Sequence, residues 1–124
     1  MKIRLLLPLF LLALACGVGI TARRAEPRAL HLTARDMAFY LDGDPTPNPT
    51  LVVRRGEPVR LTLTNRDRGM RHDFAVESLD LATEALLQAG TSTTLEFEAP
   101  GQPGESEYVC TFHDVKMRGI LRVE

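Results

Sequence analysis

Near its C-terminus the chain sets a thiol, an imidazole and a thioether within one eight-residue stretch, Cys110-Thr-Phe-His113-Asp-Val-Lys-Met117. A thiolate and a thioether are soft ligands and an imidazole is intermediate. Together they suit copper cycling between its two oxidation states. Such a set wants a second imidazole, and the chain offers His72, in Met70-Arg-His-Asp-Phe74. Two imidazoles and one thiolate in a plane, with a long axial thioether, hold Cu(I) and Cu(II) with little rearrangement, which is what fast electron transfer requires. Taken singly, each residue has a plainer reading. Cys110 can be an inert buried thiol, Met117 core filler, His72 packing and His113 an ordinary loop residue. It is their joint placement that points to one metal site. His31 has no partner in the sequence and is given no role.

The chain holds two cysteines, and Cys16 lies in the apolar N-terminal stretch, so a Cys16–Cys110 disulfide is not expected. Residues 1–20 carry Lys2 and Arg4 ahead of an apolar run from Leu5 to Ile20, the layout of an export signal. Ala13-Leu-Ala15 is an A-x-A-type cleavage site, and Cys16 directly after it resembles the lipid-bearing cysteine of a bacterial lipoprotein signal. The uncharged run Leu5–Ala22 is also just long enough for an uncleaved membrane anchor. The expectation is an extracytoplasmic protein, in the periplasm or on the outer face of a membrane. Soluble, lipid-anchored at Cys16 and membrane-anchored forms remain open. In an oxidising compartment a lone thiol such as Cys110 needs a reason, and metal ligation is one.

The elements that must position these ligands are short strands. After a polar tether at 21–28, the domain is expected to run from Ala29 to Glu124. Ala29–Leu41 reads as one strand, ended by the turn-rich Asp42-Gly-Asp-Pro-Thr-Pro-Asn-Pro49. Leu51–Arg54 is a short strand, and Val59-Arg-Leu-Thr-Leu63-Thr alternates apolar and polar with period two. His72–Val76 begins another strand, and a helical turn is a possibility at Ala82–Gln88. Thr93–Glu98 alternates again, Tyr108–Cys110 ends a strand, and Gly119–Val123 forms the last. Short strands with turns and little helix predict an all-β Greek-key β-sandwich of roughly seven or eight strands.

With these residues in view, the chain resembles the small blue copper proteins of the cupredoxin family. The features that carry the resemblance are the Val59–Asn65 strand, His72-Asp-Phe74, Gly90 before the Thr-rich strand, and Tyr108-Val-Cys-x-x-His113 followed by Met117-x-Gly119. They span about Leu51 to Glu124, and the end of the chain looks most like the amicyanin branch. The resemblance implies a cupredoxin-like sandwich and one type 1 copper ion. It makes His72, Cys110 and His113 the equatorial ligands and Met117 the axial one. Two departures stand out. Three residues separate His113 from Met117, where amicyanin-like loops have two and plastocyanin-like loops four. Asp73 follows the first histidine where better-known members carry an asparagine that links the two ligand loops.

Composition narrows the function. A net charge of -1 gives no bulk field toward nucleic acid, and 6% aromatics give no stacking face. No His-x-His pair and no second cysteine of a binuclear centre occur, so an enzyme is not expected. A one-electron carrier between redox partner proteins is the leading reading. Copper storage or delivery is the alternative, weakened by the presence of only four methionines. A monomer is expected. Arg66, Arg68, Arg71, Lys116 and Arg118 flank the ligands, partly offset by Asp67, Asp73 and Asp114. They suggest a mildly basic rim that docks an acidic redox partner.

Overall fold

A computed structural model describes Gly17, residues 19–86 and residues 88–124. The proposed signal or anchor, with Cys16, lies outside the described residues. Among the described residues no helix is long and apolar enough to cross a membrane. Residues 19–27 carry no strand or helix and are mostly exposed.

Among the described residues nine strands follow, numbered in chain order: β1 (Arg28–Arg35), β2 (Ala38–Leu41), β3 (Leu51–Val53), β4 (Pro58–Asn65), β5 (Ala75–Val76), β6 (Leu81–Ala82), β7 (Ser92–Glu98), β8 (Gly104–Val109) and β9 (Arg118–Val123). They form the expected sandwich, with one sheet in the order β2-β1-β4-β7 and the other β3-β9-β8-β5-β6. Strands β1 and β4 run parallel, as do β3 and β9, so the chain must cross between sheets to make each pair. The period-two pattern is realised on the inner faces. Leu30, Leu32 and Ala34 of β1, Val59, Leu61 and Leu63 of β4, and Leu121 and Val123 of β9 all point into one core. Each large aliphatic side chain buried this way stabilises the fold by about 1.5–3 kcal/mol.

The single strand expected at Ala29–Leu41 is in fact a hairpin. Its two-residue turn, Asp36-Met37, has both φ angles positive, at 51° and 59°. That is the twist a tight hairpin needs, usually supplied by Asn-Gly or Asp-Gly. Methionine is a poor residue for it, and no glycine or proline interrupts the alternation, so the turn leaves no ordinary mark in the sequence. What holds it is remote in the chain: the Asp67 carboxylate accepts the N–H groups of both Asp36 and Met37, at 2.8 and 3.3 Å. The helical turn also falls elsewhere than expected, at Glu77–Leu79, while Leu86 makes an isolated bridge to His72.

Tyr108 anchors the middle of the sandwich. Its ring stacks on Phe74 at 5.2 Å and meets Phe39 edge-on at 5.6 Å, and its buried O–H donates to the Pro49 carbonyl at 2.5 Å. Gly119 is the residue paired with it on β9. A Cβ there would lie 2.4 Å from the Tyr108 ring, so the aromatic occupies the space that any side chain at 119 would fill.

Candidate metal centre

The residues singled out in the sequence meet at one end of the sandwich. His72 precedes β5, Cys110 leaves the end of β8, and Met117 leads into β9, with His113 on the turn between the last two. The loop is folded by its own backbone. The Cys110 N–H donates to the Met117 carbonyl at 2.9 Å, closing it, and the His113 N–H donates back to the Cys110 carbonyl at 3.0 Å. The His113 carbonyl then accepts from both Lys116 and Met117, at 3.1 and 2.9 Å. The three residues between His113 and Met117 are thus taken up in a single i to i+4 turn.

Cys110 and His72 are fully buried, and His113 is half-buried. The Cys110 sulfur lies 3.7 Å from His72 Nδ1 and 3.6 Å from His113 Nδ1. The three donor atoms all fall within 4.8 Å of one another, and the two imidazole rings are 5.1 Å apart. These spacings fit a metal. First-row metal bonds of about 2.0 Å to nitrogen and 2.3 Å to sulfur, opened to about 120°, put sulfur and nitrogen about 3.7 Å apart. One soft sulfur and two imidazole nitrogens facing a common point form a donor set suited to copper or zinc. Met117 is fully buried in the same loop, tied to Cys110 and His113 through its backbone.

Three polar side chains hold these candidate ligands in place. Asp73, standing where the resembled proteins carry asparagine, joins the segments of His72 and Cys110, with its carboxylate accepting the Thr111 N–H at 2.7 Å and the Thr111 hydroxyl at 2.5 Å. Asn65, at the end of β4 and fully buried, donates to the carbonyls of Met70 and Leu86 and accepts the Asp67 N–H. It sets the loop that delivers His72. Asn48 clamps the other side. Its amide oxygen accepts the Phe39 N–H at 3.0 Å and its nitrogen donates to the Lys116 carbonyl at 2.9 Å. Neither asparagine is marked as functional in the sequence. The one available signal was the pairing of Asn48 with a proline in a loop, where an asparagine tolerates the positive φ of 48°.

Burial pushes the Cys110 thiol above its ordinary pKa. The backbone N–H groups of Asp73 and Phe112 oppose this, and the Asp73 charge adds to it. For Asp67, burial raises the carboxyl, but the N–H of Asp36, the His72 ring and the N–H of Met37 together bring it below its usual value. It therefore stands as a carboxylate beside His72, with Oδ2 at 2.8 Å from Nε2.

The charge around the site differs from the sequence arithmetic. Arg118 turns along the sheet and is held by two bonds from its guanidinium to Glu107. Asp67 and Asp73 turn inward, so the loops present Arg66, Arg68, Arg71 and Lys116 to solvent with Asp114 as the exposed acid among the three. Phe112, Val115 and Met70 are exposed between these cations, with the Arg71 guanidinium 5.4 Å from the Phe112 ring centre.

The family model of the cupredoxin-like domain matches residues 8–123. No curated protein sequence matches the chain significantly. Among solved structures, auracyanin B superposes with a TM-score of 0.63 at 23% identity, over 82% of this chain and 93% of the other. Auracyanin A, a "blue" copper protein from Chloroflexus aurantiacus, gives 0.62 at 17% identity, over 80% and 100%. A rusticyanin variant gives 0.61 at 18% identity, over 82% and 80%.

Proposed function

The chain belongs to the cupredoxin-like domain family, and from that premise we propose that it is an extracytoplasmic type 1 copper protein that carries single electrons between redox partners. The observation that carries the reading is the buried Cys110 sulfur between two imidazole Nδ1 atoms at 3.6 and 3.7 Å. His72, Cys110 and His113 would hold the copper, with Met117 of the same loop as the fourth ligand. Copper held there supplies a one-electron couple. The protein's part is to keep the ligands fixed while the charge at the site changes. Asp73 does this by tying the segments of His72 and Cys110 to each other, Asn65 by tying the loop before His72 to β4, and Asn48 by tying Lys116 to Phe39 of β2, so little reorganises on transfer. His113 is the half-buried ligand, next to the exposed Phe112 and Val115, and offers the path by which the electron leaves. The four cationic side chains around that face suit an acidic redox partner. The apolar run with Lys2 and Arg4 supports export, with or without a lipid at Cys16.

Adding Cu(II) to the purified domain tests this. An intense blue or green colour, lost in Cys110→Ser, is the expected result, because that absorption needs a Cu(II)–thiolate bond. Substituting Met117 should keep the colour and shift the potential. A colourless protein that binds Cu(I) alone would instead support copper delivery.

A further inference from the structure

The imidazole of His72 is fully buried, and the nitrogen facing away from Cys110 meets a carboxylate, Asp67 Oδ2, at 2.8 Å. A carboxylate can only accept, so the shared proton sits on His72 Nε2, and in the neutral ring Nδ1 then carries the lone pair toward the Cys110 sulfur. Asp67 is itself locked. Its two oxygens also accept the N–H groups of Asp36 and Met37, and its own N–H donates to Asn65 Oδ1. Its side chain is 15% exposed, so water screens the charge weakly.

We infer that Asp67 is a positioning residue for the metal centre: it fixes the tautomer of His72 and, through that imidazole, lowers the reduction potential of the bound copper. The inference rests on the copper reading above. A negative charge one ring away strengthens His72 as a donor, and a stronger donor favours the more highly charged metal ion. The Asp36-Met37 turn gives the carboxylate its second anchor. Without it Asp67 could rotate toward water and leave the ring free to change tautomer. The hairpin with no glycine and the metal ligand are thus held by one side chain, contributed from the loop after β4.

Two measurements test this. In the copper-free wild-type protein, nitrogen–proton NMR of the imidazoles should show His72 wholly in the Nε2–H form, with a slowly exchanging proton. A mixed or Nδ1–H population overturns the inference, and this result requires neither copper nor a variant. In the copper-loaded full chain, Asp67→Asn keeps an acceptor for the ring proton and removes the charge. It should stay coloured and shift the Cu(II)/Cu(I) affinity ratio about tenfold toward Cu(I), a rise in potential of about 59 mV. A coloured variant within about threefold of wild type overturns the inference while leaving the copper reading intact. A wild-type protein that never colours sinks the copper reading and, with it, the effect assigned to Asp67 on the potential.

Discussion

Asn48 offers the most direct test of how the ligand loop is held, because its contribution can be separated by substitution and read without metal. Replacing it with alanine leaves the N–H of the buried Phe39 without its partner, which costs about 1–2 kcal/mol. The bond to the Lys116 carbonyl is exposed, and water can replace it, so its loss costs about 0.5–1 kcal/mol. The φ of 48° adds about 1 kcal/mol for an alanine forced into the left-handed region. The sum is about 3 kcal/mol, or a fall of about 1.5 M in the urea midpoint for a slope near 2 kcal/mol/M. Two further variants divide that sum. Asn48→Gly removes the backbone strain and should be about 1 kcal/mol more stable than the alanine variant. Asn48→Asp keeps the acceptor for Phe39 but turns a carboxylate oxygen toward the Lys116 carbonyl, and should lose about 1 kcal/mol relative to wild type. Equal midpoints for the glycine and alanine variants, or an alanine variant within 0.5 kcal/mol of wild type, would refute the reasoning.

Other parts of the fold can be probed in the same way. Gly119→Ala should destabilise the domain by about 2–3 kcal/mol, since its Cβ meets the Tyr108 ring at 2.4 Å and that ring is packed on two others; thermal unfolding reads this, and an unchanged midpoint would show that the ring can move aside. Tyr108→Phe strips the Pro49 carbonyl of its donor and should cost about 1–3 kcal/mol, with a wild-type melting curve counting against that bond. The Cys110 thiol is fully buried, so in the folded copper-free protein it should resist alkylating reagents and react on denaturation; rapid labelling of the native protein would contradict the packing. Arg66→Glu with Arg68→Glu should slow electron transfer to an acidic partner at low salt and lose that effect as salt rises, whereas a rate with unchanged salt dependence would remove these residues from the docking face.

What the sequence determined by itself follows from short-range chemistry. The alternation in Val59–Thr64 and Thr93–Glu98 marks strands because a pleated chain shows its side chains to opposite faces, and those strands stand as β4 and β7. The spacing of Cys110, His113 and Met117 shows one loop carrying a soft donor set, and a second histidine completes it. The structure brings His72, Cys110 and His113 together at one end of the sandwich. What only the tertiary structure decided depends on partners distant in the chain. The hairpin at Asp36-Met37 forms because a carboxylate 30 residues later accepts its N–H groups, so no local pattern announces it. Asn48 reaches 68 residues to the ligand loop, and Asn65 organises the loop before His72 from the end of a strand. Asp67 and Asp73 count in the sequence as charges that offset a basic rim. Folding turns both inward, to His72 and Thr111, where a carboxylate with filled acceptor sites can be buried and can orient the residues around a metal. The donor atoms were legible because their identity is chemical. The groups that aim them were not, because aiming requires contacts that exist only once the two sheets have closed.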